Sequence, residues 1–156
     1  MLNLIGYKRT LIRSLIVMVG GLLFYTASAF CAEYAGEAGI VVNGDFVPFG
    51  YFVFLMGSFL MGTAAAMLQV VINPYIAAYP LPGTSAVQRM NFTCAVNSFG
   101  TTIAPLFVTG IMFAGVPLDS VTASQLTLPF ILMTLCIVVT TMTVSYTHLT
   151  LPTILR

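Results

Sequence analysis

The sequence predicts an all-α membrane protein with four transmembrane helices, and three observations predict it. First, 59% of the 156 residues are apolar and only 6% are charged, with a mean hydropathy of +1.04. A soluble domain carries about 25% charged residues. So few charges cannot cover a water-soluble surface, which excludes a cytosolic enzyme, a nucleic-acid binder with a basic face and a disordered tail. Second, Asp, Glu, Lys and Arg are absent from 14–32, 46–88, 90–118 and 120–155. A helix needs about 20 mostly apolar residues to cross about 30 Å of hydrocarbon. Third, the charged groups alternate in sign along the chain: Lys8, Arg9 and Arg13; then Glu33, Glu37 and Asp45; then Arg89; then Asp119; then Arg156. Each crossing swaps the sign of its flank.

The spans follow in order: about 14–32, 50–78, 91–115 and 126–145, within a four-helix unit covering 14–143. Cations gather on the cytoplasmic side. Segments 1–13 and 79–90 are therefore expected to be cytoplasmic, and 33–49 and 116–125 to face outward. Segment 33–49 reads as an external hairpin. The first span has a rival reading: Lys8, Arg9 and Arg13, an apolar core and Ala27-Ser28-Ala29 have the layout of a signal peptide. The apolar run continues through Ala32, long enough to span.

Cys31, Cys94 and Cys136 have spacing that suits neither zinc nor a disulfide framework, and read as small core residues. No metal site is expected. The sole histidine, His148, lies outside the spans, and no span holds an acid. That leaves no plausible catalytic base, so no catalytic residues are assigned and the chain is not expected to be an enzyme.

The second and third spans carry the information. Ser58, Gly62 and Ala66 recur every four residues, and such a stripe of small residues lets another helix approach. Gln69 and Asn73, also four apart, place two amides on one face. Pro74 follows, removes a backbone donor and predicts a kink. The third span repeats the theme with Asn97 and Thr101 four apart and Pro105 as a second kink position. An unpaired buried amide costs about 1–3 kcal/mol. One reading makes these amides glue between helices; the other makes them donors and acceptors for a polar, uncharged solute such as a sugar.

The run Met67-Leu68-Gln69-Val70-Val71-Ile72-Asn73-Pro74-Tyr75 resembles the fourth helix of the fucose:proton symporter family, within the major facilitator superfamily. Downstream, Gln88-Arg89-Met90-Asn91-Phe92-Thr93 and Ala95 to Pro105 resemble that family's RLNLTQAFNSLGTTIAP segment. The correspondence runs ungapped from about Gly62 to Phe107. It implies a fragment covering helices three to six of twelve, part of the N-terminal six-helix half of a major facilitator fold. Residues 1–9 would then be the end of the preceding helix and the loop after it. It implies a cation-coupled carrier in a bacterial inner membrane, importing a glucose, galactose or fucose type of hexose by alternating access. Segments 33–49 and 116–125 would be periplasmic. The partners so implied are a sugar, the lipid bilayer and a coupling ion, proton or sodium, with no nucleic acid and no cofactor. By this resemblance Asn97 falls on a sugar-contacting amide. Gln69 falls where the fucose carriers have Glu and the glucose/galactose type has Gln; a glutamine binds a hydroxyl but carries no proton. Cys94 departs from the Gln common at its position, which bears on which sugar fits.

The reading also expects truncation at both ends. Val144 to Arg156 reads VSYTHLTLPTILR, resembles a translated sequencing adapter, and is expected to be a non-native tail. The alternative to a carrier fragment is a small four-helix assembly or regulatory subunit.

Overall fold

A computed structural model describes residues 6–35, 38–79, 81–113, 115 and 122–146. Glu37, Asp119, His148 and most of the 144–156 tail lie outside the described residues. Helix α1 spans Tyr7–Tyr34, strands β1 and β2 span Gly39–Val42 and Asp45–Pro48, α2 spans Phe49–Ala78, α3 spans Ala86–Phe107 and α4 spans Ala123–Tyr146. Among the described residues, four helices are long and apolar enough to cross a membrane. At 1.5 Å per residue, α1 and α2 reach about 42 and 45 Å, more than the hydrocarbon thickness. The chain is an all-α membrane protein; among the described residues the hairpin between α1 and α2 is the one exception.

Helix boundaries depart from the expected spans in an instructive way. Helix α1 begins at Tyr7, so Lys8, Arg9 and Arg13 occupy its first two turns instead of a loop. Lysine and arginine end a hydrocarbon crossing without ending a helix, because both are good helix formers. Helix α3 starts at Ala86, ahead of the expected 91, because Ser85 caps it. The Ser85 hydroxyl accepts from the Gln88 backbone N–H at 3.2 Å, and the Gln88 side chain accepts from the Ser85 N–H at 2.8 Å. This reciprocal pair satisfies two donors that the first turn leaves open. Helix α4 continues through Val144 and Ser145, and the Lys8 ammonium donates to the Ser145 carbonyl at 2.7 Å. Cations favour such helix C-termini.

The hairpin pairs Ile40 with Val47 and Val41 with Phe46 in antiparallel register. Its two-residue loop is Asn43-Gly44, with φ of 54° and 97°. Left-handed φ at both loop positions is what the right-handed twist of the flanking strands demands, and Asn-Gly supplies it. The expected hairpin is thus present within 33–49.

Helix α1 occupies the centre, with α2 along one side and α4 along the other. Tyr25 of α1 shows this best. Its ring stacks on Phe54 of α2 at 4.9 Å and on Phe130 of α4 at 5.3 Å. Its hydroxyl donates to Ser58 at 3.1 Å, and Ser58 donates onward to the Phe54 carbonyl.

The close approach of α1 and α2 corrects the expected small-residue stripe. Helix α2 buries Gly50, Gly57, Ala64 and Val71, a spacing of seven. Helix α1 answers with Gly21 and Ser28, also seven apart, and the Ser28 hydroxyl donates to the Gly50 carbonyl at 2.8 Å. A Cβ on Gly57 would lie 3.1 Å from the Gly21 carbonyl oxygen, and one on Gly50 would lie 3.2 Å from that of Ser28. The backbones touch through these glycines. Of the predicted stripe only Ser58 faces α1; Gly62 has open space around it and Ala66 is exposed. The physical reason is period. A sustained helix pair is matched every seven residues, while a four-residue repeat drifts around the helix.

Helix α3 stands apart. None of its residues is buried, and it meets the rest chiefly at the end of α2. Cys94 and Cys136 are exposed and Cys31 is half-buried, so the expectation of three core cysteines fails. Helices α3 and α4 turn most of their surface outward.

Candidate functional site

The α1–α2 seam fixes where the two α2 amides lie. With Val71 buried against α1, successive residues rotate by about 100° about the helix axis. Gln69 and Asn73 then fall about 160° to either side of Val71, on the face opposite the glycine seam. Both are exposed, and neither makes a hydrogen bond with another described residue. Gln69 sits nine residues before the end of α2, about 14 Å along the axis.

Asn97 and Thr101 lie on α3, and both are exposed. Asn97 has no hydrogen bond with a described residue. The Thr101 hydroxyl donates to the Ser98 carbonyl at 2.9 Å, and that of Thr102 donates to the same oxygen. Threonine satisfied by its own helix backbone retains an acceptor lone pair for a further partner. Asn97 lies near the centre of α3.

Within the chain these four side chains are not gathered around one hollow. A cleft of about 90 Å³ is lined by Tyr7, Lys8, Leu11, Val71, Ile72 and Tyr75. A groove of about 610 Å³ runs by Ile76, Leu81, Thr84, Gln88, Arg89 and Phe92. Gln69, Asn73, Asn97 and Thr101 line neither. All four are exposed, and the amide faces look outward, away from the packed trio.

The two prolines behave differently from each other. Helix α2 passes through Pro74 and continues to Ala78. Beyond Pro105, α-helical geometry gives way to a π-helical turn over Val108–Met112. The Thr109 hydroxyl donates to the Pro105 carbonyl at 2.9 Å. Turns of this kind recur at functional sites in helices.

Sequence reasoning treated Arg89 only as a marker of sidedness. Among the described residues its side chain makes the most hydrogen bonds. Its Nε donates to the Ile76 carbonyl at 3.0 Å and one terminal nitrogen to the Ala77 carbonyl at 2.7 Å. The other donates to the Thr84 carbonyl at 2.9 Å and to the Thr84 hydroxyl at 3.0 Å. Ile76 and Ala77 belong to the last turn of α2, whose carbonyls have no partner within the helix. The Ser-x-x-Gln pattern at 85–88, followed directly by arginine, was the signal that could have located this joint.

No family model and no solved structure matches the chain. The chain is similar to a glucose/galactose transporter of Brucella abortus biovar 1 (strain 9-941), with 33% identity over 103 residues, and equally to that of Brucella abortus strain 2308. In both cases the match covers 66% of this chain and 21% of the relative. The chain thus spans about a fifth of the length of the curated relatives it matches.

Proposed function

We propose that the chain is part of a secondary carrier of the major facilitator type that imports a hexose by alternating access, coupled to a proton or sodium ion. The observation that carries this reading is the pair of uncommitted amide faces. Gln69 and Asn73 sit opposite a seam that already satisfies the packing of α2, and Asn97 sits midway along a helix with no buried residue. Amides at membrane depth need partners, because lipid offers none. Vicinal hydroxyls of a sugar both donate and accept, so they match a carboxamide. The similarity to glucose/galactose transporters supports the same choice of solute.

In this reading Gln69, Asn73, Asn97 and Thr101 contact the sugar. The remaining helices of the carrier close the hollow around it. Gln69 binds a hydroxyl without carrying a proton, and the coupling site lies elsewhere. Lys8, Arg9, Arg13 and Arg89 mark the cytoplasmic side of a bacterial inner membrane.

The test is uptake of labelled glucose, galactose and fucose by cells expressing a full-length carrier that contains this stretch. Asn97→Ala is expected to reduce uptake at least tenfold at low sugar concentration while membrane insertion stays normal. Unchanged uptake of all three sugars would remove Asn97 from the site.

A further inference from the structure

We propose that Arg89 is the positioning residue of the amide site: it caps the end of α2 from outside that helix and so sets the angle at which α3 presents Asn97 and Thr101. This inference rests on the carrier reading above for its functional part. Its structural part stands alone.

Helix α2 has no basic residue in its last turn. The carbonyls of Ile76 and Ala77 are instead met by Arg89 of α3, at 3.0 and 2.7 Å. The same guanidinium holds Thr84 in the connecting loop by two bonds. One planar fork therefore grips the end of α2, the loop and, through its own backbone, the first turn of α3. The Arg89 N–H completes the joint by donating to the Ser85 carbonyl at 3.2 Å, and the Thr93 hydroxyl donates to the Arg89 carbonyl at 2.9 Å. Nothing else in the described chain anchors α3 as firmly, since the helix buries no residue.

Leverage turns this joint into a specificity device. Asn97 lies eight residues beyond Arg89, about 12 Å along the axis, and Thr101 about 18 Å. A rotation of about 10° at the joint moves Asn97 by about 2 Å and Thr101 by about 3 Å. A hydrogen bond does not survive such a displacement. Lysine cannot substitute fully: its ammonium is a point donor on a flexible stem and lacks the rigid fork that serves three segments at once.

The test uses the full chain in lipid nanodiscs with spin labels at Thr63→Cys on α2 and at native Cys94 on α3, after Cys31→Ala and Cys136→Ala. A second pair, Leu23→Cys and Phe59→Cys with Cys94→Ala added, reports the α1–α2 seam. Arg89→Ala is expected to broaden the α2–α3 distance distribution and shift it by several ångströms, leaving the seam distance unchanged; Arg89→Lys is expected to lie between. An unshifted, equally narrow α2–α3 distance in Arg89→Ala overturns the proposal. Should the alanine variant also lose the seam distance, the lysine variant decides: an altered α2–α3 distance on an intact seam supports the joint, and an unaltered one overturns it. In a full-length carrier containing this stretch, Arg89→Ala is expected to raise the half-saturating sugar concentration about tenfold, with partial rescue by lysine. Movement of α3 without any change in sugar affinity would leave the joint standing and defeat the amide reading. Loss of affinity without movement of α3 would do the reverse.

Discussion

Gly57→Leu is expected to separate α1 from α2. The first added atom would lie 2.9 Å from the Tyr25 ring, 3.1 Å from the Phe24 Cβ and 3.1 Å from the Gly21 carbonyl oxygen. A side-chain tip can turn aside; a backbone oxygen moves only with its helix. Three further carbons would follow into the same space. Overpacking typically costs about 1–3 kcal/mol and sometimes more. Here the upper end of that range is expected, because the obstruction is main chain and the stacking of Tyr25 on Phe54 and Phe130 would be broken along with it. Reversible unfolding in mixed detergent micelles, followed by circular dichroism, measures the loss. Gly62→Leu is the control. Nothing lies within 4 Å of a Cβ at that position, so its stability is expected to remain near that of the unaltered chain. Equal behaviour of the two variants would show that the seven-residue seam is not what joins the helices.

Replacing Gln69 is expected to have the larger effect on transport. In a full-length carrier containing this stretch, Gln69→Ala removes two N–H donors and a carbonyl acceptor that no other described residue uses. A buried partner left without its hydrogen bond loses about 1–3 kcal/mol, equivalent to a rise of roughly five- to 150-fold in the half-saturating sugar concentration. Gln69→Glu sharpens the test. A charged group is costly at membrane depth, so the carboxyl serves the site in its neutral form. The neutral acid can still donate and accept; the anion only accepts. Uptake by Gln69→Glu is therefore expected to be retained at low pH and to fall as pH rises, while the parent shows no such added step. Half-saturation unaltered by Gln69→Ala would mean that this amide serves neighbouring helices and not the sugar.

Much of the fold is legible in the residues. Charges that alternate in sign place four crossings, and they do so because an ionised group is expensive in hydrocarbon wherever it falls. The limits of the helices are less legible, since Lys8 and Arg9 end the apolar run without ending α1. The Ser85–Gln88 box could have fixed the start of α3, had capping been weighed against hydropathy. The glycine seam was missed for a similar reason. Gly50, Gly57 and Ala64 announce a seven-residue repeat, but Ser58, Gly62 and Ala66 offer a competing four-residue one, and only a partner helix decides which is used. The candidate site was legible as residue types and spacing. That Gln69 and Asn73 lie away from α1 follows from the seam, which a single helix cannot display.

The seam also governs how force passes through the molecule. Glycine contacting carbonyl has no side-chain torsion with which to absorb sliding, so neither rod can creep along the other without breaking contact at several levels together. The first two crossings must tilt as a single beam. Any change of shape is then concentrated where α2 gives way to α3, and a label pair spanning α1 and α2 should report a constant distance while one spanning α2 and α3 does not.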